Sequence, residues 1–232
     1  MLILLTLHII NRFRKGNELS IDLNKIIDQL ITKLKYVLPF LLISFTSGDS
    51  LTNESETIRF DIIKKYKTLG YIDLQKLHSN ETTTYRIQSE VNTKFLIEFK
   101  ASSKETYVYE NDTLIYSSIY RTVNDRVKVD QSLSYNQGNY YLKQKKGNQL
   151  LNTGVIKCNL ILLFFEEPVN IQQVYCDKLN LNLKIQKLEP NRYKITFPNK
   201  SYTIFYYRDG RCRLIEAVGS FYRVKLIPNY QL

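Results

Sequence analysis

Two histidines, His8 and His78, are available for general acid or base work near neutral pH. His8 lies upstream of the part of the chain read below as mature, so a histidine-dependent triad would rest on His78. Its neighbours Ser79 and Asn80 mark an exposed turn. The adjacent acids Glu166 and Glu167 could supply the pair of a glycosidase-like reaction. Neighbours along a chain need not face one substrate, however, and the required carboxyl separation of about 5 to 9.5 Å is a property of the fold. Placed before Pro168, the pair reads as the polar end of a buried segment. No G-x-S-x-G, H-E-x-x-H, G-x-G-x-x-G or phosphate-cradling loop occurs. No catalytic residue and no cofactor are therefore assigned, and the expectation is a protein that is not an enzyme.

Cys158, Cys176 and Cys212 stand at long spacings, with no C-x-x-C pair and no accompanying histidine, so no metal site is assigned. They read as small buried hydrophobes. In an oxidising compartment two of them could pair if their Cα atoms came within about 4.4 to 6.8 Å, and sequence does not say which two.

The arrangement most able to bind something is the last hairpin. Asp209-Gly210 is a two-residue turn of the kind that wants glycine at positive φ. Read outward from it, Arg208 faces Arg211, Tyr207 faces Cys212, Tyr206 faces Arg213 and Phe205 faces Leu214. Tyr206, Arg213 and Tyr222 are the candidate ligand-binding residues, with Arg223 nearby if the final strand continues the meander. A guanidinium over an exposed tyrosine face contributes about 0.5 to 1 kcal/mol, and such pairs also hold sugars or anionic headgroups. The plainer alternative is an ordinary cross-strand pair.

These side chains must be positioned by strands. Eighteen tyrosines, no tryptophan and abundant Ile, Val and Thr suit pleated, half-buried surfaces. From Glu56 onward the apolar period is two. In Tyr85-Arg-Ile-Gln-Ser-Glu-Val91 the odd positions are mostly apolar and the even ones polar, and the pattern recurs at Phe95, Ile97 and Phe99, at Val127, Val129 and Leu133, at Leu181, Leu183 and Ile185, and at Tyr193, Ile195 and Phe197. Turn signals at Thr68-Leu-Gly70, Glu110-Asn-Asp112, Gln137-Gly138, Glu189-Pro-Asn191, Pro198-Asn-Lys200, Asp209-Gly210 and Gly219-Ser220 punctuate the strands. One segment, Asn159-Leu-Ile-Leu-Leu-Phe-Phe-Glu-Glu-Pro168, loses the alternation, and a short helix or turn plugging one end of the sheet is expected near 159–167.

The net charge is +11, and the first fifty residues hold six Lys/Arg against four Asp/Glu, so most of the excess lies in the body. Such a balance could steer the surface towards a lipid headgroup, an anionic polysaccharide or an envelope protein. Nucleic acid is set aside because the basic residues alternate along strands and form no basic helix or recognisable binding motif.

Near the N-terminus, Lys33-Leu-Lys35 precedes the apolar run Tyr36–Phe45 and then the small, polar Thr46–Ser50, the order of a secretory signal. The run is shorter than the roughly 20 residues that span a bilayer, so membrane contact is expected only through this segment if it stays uncleaved. Upstream, Leu23, Ile26, Ile27, Leu30 and Ile31 fall at helical spacing behind Ser20, and residues 1–32 read as an extension that reflects a misassigned start.

The segments Gly70-Tyr-Ile-Asp-Leu, Asn124-Asp-Arg-Val-Lys and Gly219-Ser-Phe-Tyr-Arg-Val-Lys-Leu, each at its place along the meander, resemble a family of exported Bacteroidota proteins of unknown function. The resemblance covers residues 57–228. It implies a curved antiparallel sheet and an envelope location, and it transfers no catalytic residue.

The expected organisation is an extension over 1–32, a signal-like segment over 33–48, a linker over 49–56, a β domain over 57–228 and a tail over 229–232. The expected fold is mainly β, one curved antiparallel meander or incomplete barrel of about ten strands. The expected role is that of an exported envelope binding or structural module. A periplasmic carrier or chaperone sheltering a lipid or hydrophobic ligand is the second reading, and a hydrolase of unknown type the third. An open cup lined by Phe, Tyr and Ile would mark the carrier, and a packed interior the interaction protein.

Overall fold

The structure is a computed structural model that describes residues 54–229 except Leu96 and Phe221. The expected extension over 1–32 and the signal-like segment over 33–48 lie outside the described residues. The first strand starts at Glu54, inside the stretch expected as a linker.

The described chain forms a single antiparallel sheet of fourteen strands rather than about ten. In chain order these are β1 (Glu54–Lys64), β2 (Lys67–Ser79), β3 (Thr82–Phe95), β4 (Ile97–Glu110), β5 (Thr113–Val123), β6 (Arg126–Asn136), β7 (Asn139–Gln144) and β8 (Gly147–Leu151). After a long connection come β9 (Gln173–Cys176), β10 (Leu181–Glu189), β11 (Arg192–Thr196), β12 (Tyr202–Arg208), β13 (Arg211–Gly219) and β14 (Tyr222–Asn229). The first eight strands meander outward from β1 to the edge strand β8, the chain crosses to β9 at the opposite edge, and the rest meander back until β14 pairs with β1. That central pairing sets Phe60 against Pro228 and Ile62 against Leu226.

The undercount comes from two-residue turns that carry neither glycine nor proline. Lys65-Tyr66, Asn80-Glu81, Asn124-Asp125 and Lys145-Lys146 each join two strands. Lys65, Asn80, Asn124 and Asp125 take positive φ, the conformation that two-residue hairpin turns demand. Thr68-Leu-Gly70, by contrast, lies within β2 and is no turn. Gly70 is needed there for close approach, because a Cβ would fall on the Glu90 carbonyl oxygen of β3.

Alternation fixes the inner face, where Phe60, Ile62, Ile72, Leu74, Tyr85, Val91, Tyr107, Ile119, Leu133, Tyr193, Ile195, Phe205, Ile215 and Leu226 are buried. The connection from β8 to β9 fills the space they enclose. In place of a short helix it makes one 3₁₀ turn, Leu162–Phe164. Leu160, Ile161, Leu163, Phe164 and Phe165 are all buried, which leaves no polar side for an amphipathic helix to present to water. Phe164 meets the rings of Phe60 and Phe205 edge-on, with centroids at 5.5 and 6.1 Å, and Phe165 lies 5.2 Å from Tyr85. The Tyr207 hydroxyl donates to the Leu163 carbonyl at 2.6 Å. The segment therefore packs against β1, β3 and β12 together and fills the interior instead of plugging one end.

The same segment ties the two ends of the open sheet together. On one side Leu114 N–H donates to the Ile156 carbonyl at 2.9 Å, and Ile156 N–H donates to the Tyr140 hydroxyl at 3.1 Å. On the other, Tyr175 N–H donates to the Cys158 carbonyl at 2.9 Å. Gln131 of β6 also donates to the Asp177 carbonyl beyond β9 at 3.1 Å, so strands far apart in the sheet order meet across the interior.

Candidate functional site

The chemistry of the interior centres on Arg121. Ser103, Glu105 and Tyr107 share the inward phase of β4, and the β4–β5 register sets Arg121 opposite Ser103. One guanidinium nitrogen of Arg121, Nη2, lies 2.7 Å from Glu105 Oε1, and Nε donates to the same oxygen at 2.8 Å. Ser103 Oγ donates to Oε1 at 2.5 Å, and the Tyr107 hydroxyl donates to Oε2 at 2.6 Å. Burial by itself would raise the Glu105 carboxyl, but the guanidinium and the two hydroxyls override it and hold it below the usual carboxylate value.

Asp177, in the turn after β9, joins this cluster. Its Oδ2 accepts from Asn159 Nδ2 at 3.3 Å, while Oδ1 and Arg121 Nη1 are buried without a hydrogen-bond partner among the described residues. Burial, reinforced by the nearby Glu105 charge, pushes the Asp177 carboxyl up to about 7. One guanidinium facing two carboxylates is electrically balanced when Asp177 keeps its proton. Arg121, Glu105, Asn159 and Asp177 are all buried. The Arg121–Glu105 pair joins β5 to β4, the Asn159–Asp177 hydrogen bond joins the inner segment to the β9 end, and charge couples the two. Sequence reasoning missed it. The available signal was a charge in the inward phase, Arg121 among Ser117, Ile119 and Val123, and Glu105 between Ser103 and Tyr107.

Of the expected binding residues Tyr206, Arg213 and Tyr222, the two tyrosines lie on opposite faces of the sheet. The hairpin keeps the expected pairs Arg208 with Arg211 and Tyr207 with Cys212, but a bulge follows, and Tyr206 then pairs with Leu214 and Phe205 with Ile215. Arg213 is the extra residue. The bulge shifts the inward phase of β13 from Leu214 and Glu216 to Ile215 and Ala217, which keeps the Glu216 carboxylate out of the core. On the outer face Tyr206 lies beneath Arg192, whose guanidinium carbon is 5.1 Å from the ring centroid, and its hydroxyl donates to Glu216 at 3.2 Å. Tyr222 occupies the opposite, inner face in phase with Val224 and Leu226, its ring packed over Gly219. Burial pushes its hydroxyl up to about 12.

The other sequence candidates separate in the same way. His78 is exposed and shares a hydrogen bond with Thr83 Oγ1 at 3.0 Å. Lys76 of β2 donates to Glu166 at 2.7 Å, whereas Glu167 accepts from the Tyr193 hydroxyl of β11 at 2.8 Å, so the two acids are drawn to different strands. Cys158, Cys176 and Cys212 are buried and not joined in disulfides, and burial pushes Cys158 and Cys212 up to about 12.

A family described as "Domain of unknown function (DUF6134)" matches residues 60–229. The chain belongs to this family. The match spans almost the same body, 57–228, on which the sequence resembles an uncharacterised β-sheet family. Among solved structures, the chain is similar to a β-barrel-like protein of the domain of unknown function DUF1849 from Brucella abortus. The two are 12% identical, the TM-score is 0.49, and the likeness covers 77% of this chain and 96% of that one. None of the curated proteins matches.

Proposed function

We propose that this member of the DUF6134 family is an exported Bacteroidota envelope protein that acts without catalysis, through its outer surface, as a binding or structural module. The observation that carries this reading is the filled interior. Phe164, Ile161 and Leu160 of the β8–β9 connection occupy the concave side, and among the described residues a cavity of about 20 Å³ lies beside them, Ser89 and Glu105. That is room for a water molecule, not for an acyl chain or a peptide. A carrier would need this segment to leave, breaking the Tyr207–Leu163 hydrogen bond and the ring contacts of Phe164 and Phe165.

Export rests on the signal-like order of residues 33–50, and surface action on a basic exterior with cation-over-tyrosine pairs such as Arg192 over Tyr206 and Lys194 over Tyr202, the latter at 4.4 Å. The test is native and denaturing mass spectrometry of the untagged protein recovered from its host's envelope fraction. A chain shortened by about its first 45 to 50 residues and free of small molecules is expected. A chain of full mass overturns export, and a lipid that stays bound revives the carrier.

A further inference from the structure

Three tyrosines on the outer face of β5 and β7, Tyr116, Tyr120 and Tyr141, are 41%, 44% and 43% exposed. Single exposed apolar residues need no explanation, but these are placed by register into one pattern. Tyr116 of β5, Ser134 of β6 and Tyr141 of β7 are successive cross-strand partners and form one row. Two residues along, Ser118, Ser132 and Lys143 form a second. Two further along, Lys104, Tyr120 and Asp130 form a third.

Cross-strand partners share a face, so the nine side chains point out of the sheet together. The strand spacing of about 4.8 Å sets the Tyr116 and Tyr141 backbones about 10 Å apart, with the small Ser134 between them. The result is a shallow trough. Its floor is made of the Ser118, Ser132 and Ser134 hydroxyls and tyrosine rings stand on both sides, with Lys143 beside Tyr141 on β7 and Lys104 of β4 on the outer side of Tyr120.

We propose that this trough binds an anionic polysaccharide, the tyrosine rings lying on sugar faces, the serine hydroxyls bonding sugar hydroxyls and the two lysines meeting carboxylates. The proposal rests on the surface-binding reading above and names its ligand class. Charge complementarity favours it, since the chain carries +11 with a pI near 9.4. Two lysines offset by Asp130 make a sparse positive charge, which suits an acid group on occasional sugars better than a phosphate at every nucleotide. A lipid surface fits less well, because the floor is hydroxyl rather than apolar.

The test titrates the full chain with sodium polygalacturonate at low salt, with dextran and a single-stranded oligothymidylate as comparators. Polyuronate binding that weakens as salt rises, with none to dextran, is expected. Y116A/Y141A should weaken it at least about tenfold while leaving the urea midpoint unchanged, and Y116F/Y141F should retain it. Equal binding by wild type and Y116A/Y141A overturns the trough and leaves surface binding standing. So does tighter binding of the oligothymidylate, which would make nucleic acid the ligand. Failure to bind polyuronate overturns the polysaccharide assignment, while shortening of the polymer during incubation would overturn the non-enzymatic reading as well.

Discussion

Arg121 and Glu105 meet at 2.7 Å inside the sheet with side chains 0% and 2% exposed. A charge pair so placed is held by its partners rather than by water, and its strength depends on all of them being present. Arg121→Met should therefore destabilise the protein by about 3 to 5 kcal/mol, because it leaves the Glu105 carboxylate buried without its cation. Replacing both, as Arg121→Met with Glu105→Gln, should recover part of that loss. Urea unfolding of the two variants and the wild type checks the prediction, and additive losses would show that the pair is not coupled.

Asp177 should give stability an unusual dependence on pH. Its folded value of about 7 lies above the ordinary 3.8, so between these values the folded state binds the extra proton. The stabilisation is fully present below the unfolded value and is lost as pH rises through about 7. Glu105 has the opposite sign: its folded value is lowered, so its contribution is present above the unfolded value and fades as pH falls through the folded one. Asp177→Asn should flatten the decline on the alkaline side and leave the acid limb in place, as read by urea midpoints across pH 4 to 8.

The cysteines make a separate prediction about chemistry at the core. Cys158 and Cys212 are buried with thiols pushed up to about 12, and Cys176 is also raised by burial. A thiol-reactive dye should label none of the three in the folded protein at pH 8, and all three should react in denaturant without reductant. Fewer than three reactive thiols in denaturant would reveal a disulfide.

Sequence by itself determined the class of fold and, along stretches without a bulge, which residues face inward, because a strand's side chains alternate with a period of two whatever its neighbours are. It also gave the first two pairs of the last hairpin, Arg208 with Arg211 and Tyr207 with Cys212, since Asp209-Gly210 fixes register locally. Register beyond the turn was decided elsewhere. The bulge at Arg213 exists because β13 must send Ile215 and Ala217 to the core and Glu216 to water, a constraint set by the whole inner face. The place of the run 160–165 was likewise tertiary, because an all-apolar run buries itself equally well as helix, strand or turn until the cavity it must fill is known. The Arg121 cluster was decided only by folding, since it joins β4 and β5 to Asn159 and to Asp177 beyond β9, and no local rule reaches across the strands that separate them in the sheet.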